Sequence, residues 1–259
     1  MNYRTVHIVL FSPTGTTRAV LDAIAKGTGG AMGKILDLTT SALQETPCFS
    51  ETDLVLVGMP VYGGRLPALA VERFESIRGS QASVVPVVVY GNRHYDDALV
   101  ELYALCKKQG FRPVAAGAFI GEHSFSTPEL PLSPGRPDAA DIEKATQFGR
   151  MIGDVDLDGD SIPGNFPYKA VATPNGSATR VDAGACTKCG SCIEVCPTQG
   201  MKMTQDGAES DPDNCIWCMA CARACPADAR TIAHEKIKAS AQKLNDLFSE
   251  RRESEFFLS

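Results

Sequence analysis

The chain has 259 residues, 44% hydrophobic and 22% charged, with a formal net charge of −6. That composition describes a globular protein of one large or two ordinary domains, and its acidic balance gives no reason to expect a nucleic-acid partner. No apolar run approaches the roughly 20 residues that span a bilayer, and the stretch at 6–11 is too short for a signal peptide. A cytoplasmic protein with no membrane span is therefore expected.

The first part of the chain alternates between strand and helix patterns. Apolar, β-branched runs at 6–11, 54–58, 84–90 and 114–120, with a shorter one at 34–38, predict five strands. Helical patterns at 17–26, 68–78, 96–109 and 138–152 separate or follow them. The last stands behind the breaker Pro134-Gly135-Arg136-Pro137, with Asp138 and Asp141 where negative charge favours a helix N-terminus. Near-continuous hydrophobic strands predict a parallel sheet buried on both faces, hence a doubly wound α/β domain over 1–153.

A linker is expected over 154–178. Asp154, Asp156, Asp158 and Asp160 resemble a calcium loop for a few positions, but no Glu closes it and Lys169 follows Tyr168. The alternative is a plain connection pinned to a domain surface by Phe166 and Tyr168. Residues 179–232 form a second unit with an internal repeat of 29 residues, Cys186 recurring at Cys215. From 233 to 259 a helix is expected, with Ile237, Ala241, Leu244 and Phe248 on one stripe. The final Phe256-Phe257-Leu258 is expected to dock on the chain itself or to meet another copy in a homodimer.

Eight of the ten cysteines fall between Cys186 and Cys225. Cys48 and Cys106 stand alone and read as small, buried or half-buried side chains. The first run is Cys186-Thr-Lys-Cys189-Gly-Ser-Cys192-Ile-Glu-Val-Cys196-Pro197, and the second Cys215-Ile-Trp-Cys218-Met-Ala-Cys221-Ala-Arg-Ala-Cys225-Pro226. Thiols so close together in a reducing compartment are metal ligands rather than disulfides. Zinc favours C-x-x-C pairs set farther apart, whereas three closely spaced thiolates wrap three corners of an iron–sulfur cube. These runs resemble two-cluster bacterial ferredoxins, in which the fourth cysteine ligates the other cluster. The resemblance implies Cys186, Cys189, Cys192 and Cys225 on one [4Fe–4S] cluster, and Cys215, Cys218, Cys221 and Cys196 on the second. No ligand is missing, so a three-iron cluster is not expected. Small residues (Gly190, Ser191, Ala220, Ala222, Ala224) let the backbone approach the sulfurs, and Trp217 packs beside the second cluster.

The first strand runs into Ser12-Pro13-Thr14-Gly15-Thr16-Thr17 and then a helix. Hydroxyls and a glycine at a strand-to-helix turn make an anion cradle, although a well-capped helix alone needs no ligand. The loop lacks the lysine of a nucleotide-binding P-loop and the spacing of a dinucleotide fold. It resembles the loop that holds the FMN phosphate in flavodoxins. Flavodoxin-like sheets of strand order 2-1-3-4-5 bind ligand beyond the carboxyl ends of their strands. Two loops fall there: Pro60-Val61-Tyr62-Gly63-Gly64-Arg65-Leu-Pro67, and Tyr90-Gly91-Asn92-Arg93-His94-Tyr95. Tyr62 and Tyr95 are the main candidates for contact with a flavin ring.

With Gly121-Glu-His123-Ser124 and Gly135-Arg-Pro-Asp138, these loops and the cysteine runs resemble the flavodoxin–ferredoxin fusion proteins of anaerobes over residues 3–232. The resemblance implies FMN, two [4Fe–4S] clusters and electron transfer between a ferredoxin-like partner and the flavin. The alternative is an FMN-dependent oxidoreductase acting on its own small-molecule or nicotinamide substrate. For that reading Arg65 and Arg93 would stabilise a reduced anionic flavin or hold an anionic substrate, and His94 and His123 would supply protons. Surface ion pairing is the plainer role for all four. A redox sensor needs an effector element, and none is visible. Residues 180–232 hold five Lys/Arg and seven Asp/Glu, a net of −2, so a partner with a basic patch is expected, bound more weakly as salt rises.

Overall fold

The computed structural model describes residues 5–41, 47 and 49–259; Cys48 lies outside them. The chain begins with β1 (Thr5–Leu10), α1 (Thr16–Thr28), β2 (Ala31–Asp37), β3 (Asp53–Pro60), α2 (Ala68–Phe74) and β4 (Ser83–Tyr90). It continues with α3 (Ala98–Lys108), the two-residue β5 (Arg112–Pro113), β6 (Ala115–Ile120) and α4 (Ala139–Met151). The five main strands lie in the order β2-β1-β3-β4-β6, all parallel, with β5 extending the sheet beside β4. This is the 2-1-3-4-5 order of a flavodoxin-like sheet.

Alternation along the strands feeds two cores. On one face Val6, Ile8, Leu54, Leu56, Val85 and Val87 meet Leu21 and Ile24 of α1 and Ala145 and Phe148 of α4. On the other, Val9, Val55, Val57, Val84 and Val88 meet Phe74 of α2 and Leu99 and Leu102 of α3. Helices α1 and α4 approach backbone to backbone: a Cβ on Gly27 would stand 2.0 Å from the Thr146 carbonyl oxygen, and one on Gly149 would stand 2.2 Å from that of Ile24. Asp138 caps α4 and Asp141 closes the capping box.

Strand β2 departs from the expectation of uniform burial. It starts at Ala31, before the apolar run, and as the sheet edge its side chains are largely exposed. Gly33 is required there because a Cβ would meet the His7 ring at 2.6 Å. The His7 Nδ1 accepts from the Lys34 N–H at 3.0 Å, across the register shift between Val6 and Ile8.

The rest of the chain comprises β7 (Thr179–Val181), α5 (Ser191–Glu194), β8 (Met201–Thr204), β9 (Gly207–Ser210), α6 (Ala220–Arg223), β10 (Arg230–Ile232), α7 (Glu235–Leu247) and β11 (Glu255–Leu258). Strands β7 and β10 pair antiparallel, as do β8 and β9. The apolar C-terminus docks on the chain itself: β11 lies antiparallel to β6 at the sheet edge, Glu255 opposite Ala118 and Leu258 opposite Ala115. Alternation then sends Phe256 to one core, against Phe119 (5.3 Å) and Phe148 (4.9 Å), and Phe257 to the other.

The connection ahead of β7 is held by Leu157 and Ile162 in the sheet core, by polar groups, and by one of the two expected aromatic anchors. Asp97 accepts from the backbone N–H groups of Asn165 (2.9 Å) and Lys169 (2.7 Å). Tyr168 lies under the Arg65 guanidinium at 4.7 Å, but Phe166 is 89% exposed and pins nothing. The aspartates that resembled a calcium loop have other employment: Asp154 and Asp156 pair with Arg112, and Asp158 caps a short 3-10 turn. We expect Phe256→Ala to lower stability by about 2 kcal/mol, with the exposed Leu258→Ala changing it by under about 0.5 kcal/mol, measured by urea unfolding.

Candidate functional site

The loop between β1 and α1 is shaped to receive an anion. Gly15 takes a left-handed turn (φ 83°) and its N–H donates to the Ser12 carbonyl at 3.2 Å. The Ser12 hydroxyl accepts from the Arg18 N–H at 3.1 Å, and the Ser12 N–H donates to the Thr39 hydroxyl at 2.8 Å. The first N–H groups of a helix have no intrahelical acceptor, and the first turn of α1 carries no acidic residue. Its positive end therefore faces the loop uncompensated. Pro13, Thr14 and Thr16 are half-buried and Thr17 is buried. Thr39, which fixes the entry to the loop from the neighbouring strand, escaped the sequence reading because one threonine after an edge strand carries no motif.

The loop after β3 lies at the same end of the sheet. Val61 donates its N–H to the Val89 carbonyl at 2.9 Å, and Tyr62 and Arg65 exchange backbone hydrogen bonds around Gly63 and Gly64, both at positive φ. A Cβ on Gly63 would touch Val171 at 2.8 Å, and one on Gly64 would enter Asp96. Burial holds the Tyr62 phenol well above its ordinary range, and the neighbouring Cys218 thiol adds to the shift. Tyr62 thus lies at the carboxyl end of the sheet strands, within electrostatic reach of the cysteine-bearing unit.

Several residues of the next loop face elsewhere. Tyr95 is 1% exposed, its hydroxyl on Glu255 (2.7 Å) and its ring stacked on His94 (4.9 Å), so it is committed to the tail rather than presented to a ring. Asn92 is buried, donating to the carbonyls of Phe248 (2.6 Å) and Glu250 (2.7 Å) and accepting from the Arg252 N–H at 3.1 Å. Tyr90 is buried edge-on to Tyr95, and burial pushes its phenol up to about 12. Gly91 is needed because a Cβ would collide with the His123 ring at 2.3 Å.

The charged candidates are spoken for. Arg65 makes a two-pronged pair with Glu101, both contacts 2.7 Å, and also donates to the Lys169 carbonyl. Arg93 pairs with Asp96, which also takes the Lys169 ammonium at 2.7 Å. His94 accepts from the Asp96 N–H at 2.8 Å. Burial lowers the His123 imidazole to about 4, and the nearby Arg93 and Arg223 guanidiniums push the same way. Its Nδ1 accepts from the Phe125 N–H at 3.0 Å. His123 is therefore a neutral acceptor at pH 7, not a proton donor near neutrality.

The eight clustered cysteines line two separate cavities. Cys196, Cys215, Cys218 and Cys221 line one, with Met201, Ile216 and Met219. Cys186, Cys189, Cys192 and Cys225 line the other, with Lys188, Met203 and Arg230. Each run thus sends its last cysteine to the other cavity. Backbone N–H groups reach two sulfurs, Ala178 to Cys215 at 3.5 Å and Ala229 to Cys225 at 3.3 Å. Hydroxyls lie near three more, Thr179 at Cys221, Thr198 at Cys196 and Ser191 at Cys189. Four soft sulfur donors around a small void, approached by N–H and O–H groups, suit an iron–sulfur cube. Cys106 is buried alone in the sheet core, and burial raises its thiol.

The cavity with Cys218 is the inner one. Ile216 packs against the sheet core, and Met219 packs with Ala178 and Ile237 against Phe125. Arg73 of α2 donates to the Pro197 carbonyl at 2.7 Å while holding the carbonyls of Leu38 and Thr39. Arg223 pairs with Glu122 at 2.9 Å. Trp217 has a packing role, its indole N–H on the Gly176 carbonyl at 2.8 Å and its ring against His234. The other cavity is lined only by residues between 181 and 230, and its Cys189 is exposed.

Residues 170–232 match the family described as "4Fe-4S dicluster domain". The chain is 40% identical over 65 residues to "Ferredoxin 7Fe" of Hydrogenibacillus schlegelii, a match spanning 24% of this chain and 83% of that protein. It is 33% identical over 73 residues to "Ferredoxin-3" of a Nostoc species, spanning 21% of this chain and 75% of that one. The chain belongs to the 4Fe-4S dicluster ferredoxin family. Its ferredoxin module follows a flavodoxin-like sheet, and the pair makes a flavodoxin–ferredoxin fusion with an electron-transfer function. Among solved structures a Streptococcus pneumonia TIGR4 flavodoxin is similar at a TM-score of 0.40 and 19% identity, over 56% of this chain and 94% of that one. An archaeal flavodoxin is similar at 0.38 and 14%, over 57% and 95%; the fold assignment here rests on strand order.

The low His123 value fixes a pH dependence. The unfolded imidazole binds a proton below about pH 6.5 while the folded one stays neutral to about 4, so stability falls as pH drops through that window. We expect His123→Gln to flatten this loss between pH 7 and 5, measured by urea unfolding at both values.

Proposed function

We propose that this chain is an internal electron relay, in which FMN at the carboxyl edge of the sheet exchanges electrons with a one-electron partner, such as a ferredoxin, through two [4Fe–4S] clusters. The observation that carries the reading is the seating of the inner cysteine set against the sheet, Ile216 between Cys215 and Cys218 packing on the sheet core, with the outer set's Cys189 exposed. Cys196, Cys215, Cys218 and Cys221 would hold the inner cluster, and Cys186, Cys189, Cys192 and Cys225 the outer. FMN supplies one- or two-electron exchange and each cluster one-electron exchange.

The chain's own residues bind and orient. Ser12, Thr14, Thr16, Thr17 and the N-terminus of α1 are the groups assigned to the phosphate, with Gly15 making the turn. The segment Pro60–Gly64 is assigned to the ring, with Tyr62 as its aromatic contact. Residues 1–153 form the FMN-binding domain, 154–178 the linker, 179–232 the two-cluster domain and 233–259 the helix and tail. Reducing compartments keep thiols available for clusters, so we assign the protein to the cytoplasm of an anaerobe. Among the described residues no helix is long and apolar enough to cross a membrane.

A substrate-reducing enzyme loses its main support in the ion pairs of Arg65 and Arg93, whose charges are matched by Glu101 and Asp96. The test is anaerobic rapid mixing of the loaded protein with reduced ferredoxin, NADH or NADPH, following cluster and flavin bleaching separately. Reduced ferredoxin should bleach the clusters before the flavin; a nicotinamide that reduces the flavin first would overturn the relay. In Cys218→Ser, flavin bleaching by ferredoxin should slow at least tenfold with flavin content unchanged.

A further inference from the structure

The two halves of the ferredoxin module repeat in backbone as well as in sequence. Lys188 and Trp217, 29 residues apart, have φ of 56° and 59°; Gln199 and Asp228 have 55° and 47°; Gly190 and Met219 have 86° and 62°. The cavity walls repeat too. Gly200 and Met201 line the inner cavity where Ala229 and Arg230, at the same spacing, line the outer one.

At this last pair the symmetry breaks in charge. Met201 and Arg230 are each 5% exposed. The Met201 thioether packs in an apolar cluster with Cys192 and Ala208. The Arg230 guanidinium instead donates to the Ala208 carbonyl and to the Thr179 hydroxyl (2.8 Å), two uncharged acceptors, and its Nε has no partner among the described residues. A buried cation without an anion is costly. Among the described residues no ion pair reaches Arg230, although Asp206 and Glu209 line a surface cavity with it; the anion of its own buried cavity would be the thiolate-ligated outer cluster, whose negative charge grows by one on reduction. Arg230 lines the outer cavity together with Cys186, Cys189, Cys192 and Cys225. It reaches the inner set only through Thr179, whose hydroxyl lies 3.4 Å from the Cys221 sulfur.

We propose that Arg230 makes the two clusters unequal, stabilising the reduced outer cluster so that a single electron on the pair rests there. The inference rests on the two-cluster reading above. In the step it governs, one electron leaves the inner cluster, which is oxidised, and enters the outer cluster, which is reduced; no proton or further reactant takes part. The electron is then held at the exposed end, beside Cys189, where a partner protein can exchange it. Arg230 acts here as a positioning charge and not as a ligand.

The test is a potentiometric titration of the full chain loaded with iron and FMN, following the reduced-cluster EPR signals. Iron content is measured first: eight irons per chain establish two clusters, and four would sink the two-cluster reading itself rather than this inference alone. With eight, two one-electron steps are expected, the upper belonging to the outer cluster and altered selectively by Cys189→Ser. Arg230→Met should lower the upper step and weaken the electron's preference for the outer cluster at least tenfold, 59 mV for one electron, while Arg230→Lys keeps the separation. If Arg230→Met loses iron, Met201→Arg is the second variant, expected to raise the lower step and close the gap. An unchanged separation in the variant that retains its iron, equal movement of both steps, or a Cys189→Ser effect on the lower step would each overturn the assignment.

Discussion

The exchange of cysteines between the two halves of the ferredoxin module is the constraint from which the rest of the arrangement follows. Cys196 ends the first run but stands with Cys215, Cys218 and Cys221, and Cys225 ends the second run but stands with Cys186, Cys189 and Cys192. Neither half completes a four-sulfur set alone, so the halves cannot part without dismantling both. The small residues between the cysteines allow the tight turns this needs. Where the second half has Met219 in place of Gly190, it adopts the same left-handed backbone at a cost of about 1–2 kcal/mol. The Met219 side chain offsets part of that strain by packing against Ala178, Ile237 and Phe125.

The module is fastened to the sheet at both of its ends. On the N-terminal side the linker is tied through Asp97, whose carboxylate takes two backbone N–H groups. On the C-terminal side α7 leads into β11, which completes the edge of the sheet against β6. Between these ties, Arg73 gathers the carbonyls of Leu38, Thr39 and Pro197, joining the strand end near the Ser12–Thr17 turn to the Cys-Pro turn. Burial lowers its pKa from the usual arginine range, and three carbonyl acceptors are what keep such a guanidinium satisfied. The inner cysteine cavity is thereby held against the sheet, with Ile216 packed on the sheet core.

Charge at the sheet edge is balanced rather than concentrated. Arg65 answers Glu101, Arg93 and Lys169 answer Asp96, and Arg223 answers Glu122. His123 is kept neutral by burial and by two neighbouring cations. A site built to trap an anionic substrate would leave a cation unpaired at its mouth. Cations matched only by uncharged acceptors lie elsewhere: Arg73 on three carbonyls, and Arg230 deep in the ferredoxin module.

The sequence by itself determined the features written in local pattern. The two cysteine runs, their 29-residue repeat, the alternating α/β order and the Ser12–Thr17 turn depend on spacing within a few residues, where covalent geometry leaves little choice. Gly33 and the exposed face of β2 hid one strand's start, because an edge strand need not be apolar. The short β11 was readable only as an apolar end in need of a surface. What the tertiary structure decided is which groups face each other. Tyr95 and Asn92 turn to the tail, Arg65 and Arg93 find carboxylates, Ile216 packs on the sheet core, and Arg230 is buried where its repeat mate is Met201. Each of these depends on chain segments tens to more than a hundred residues apart, and no local spacing encodes the partner that packing delivers.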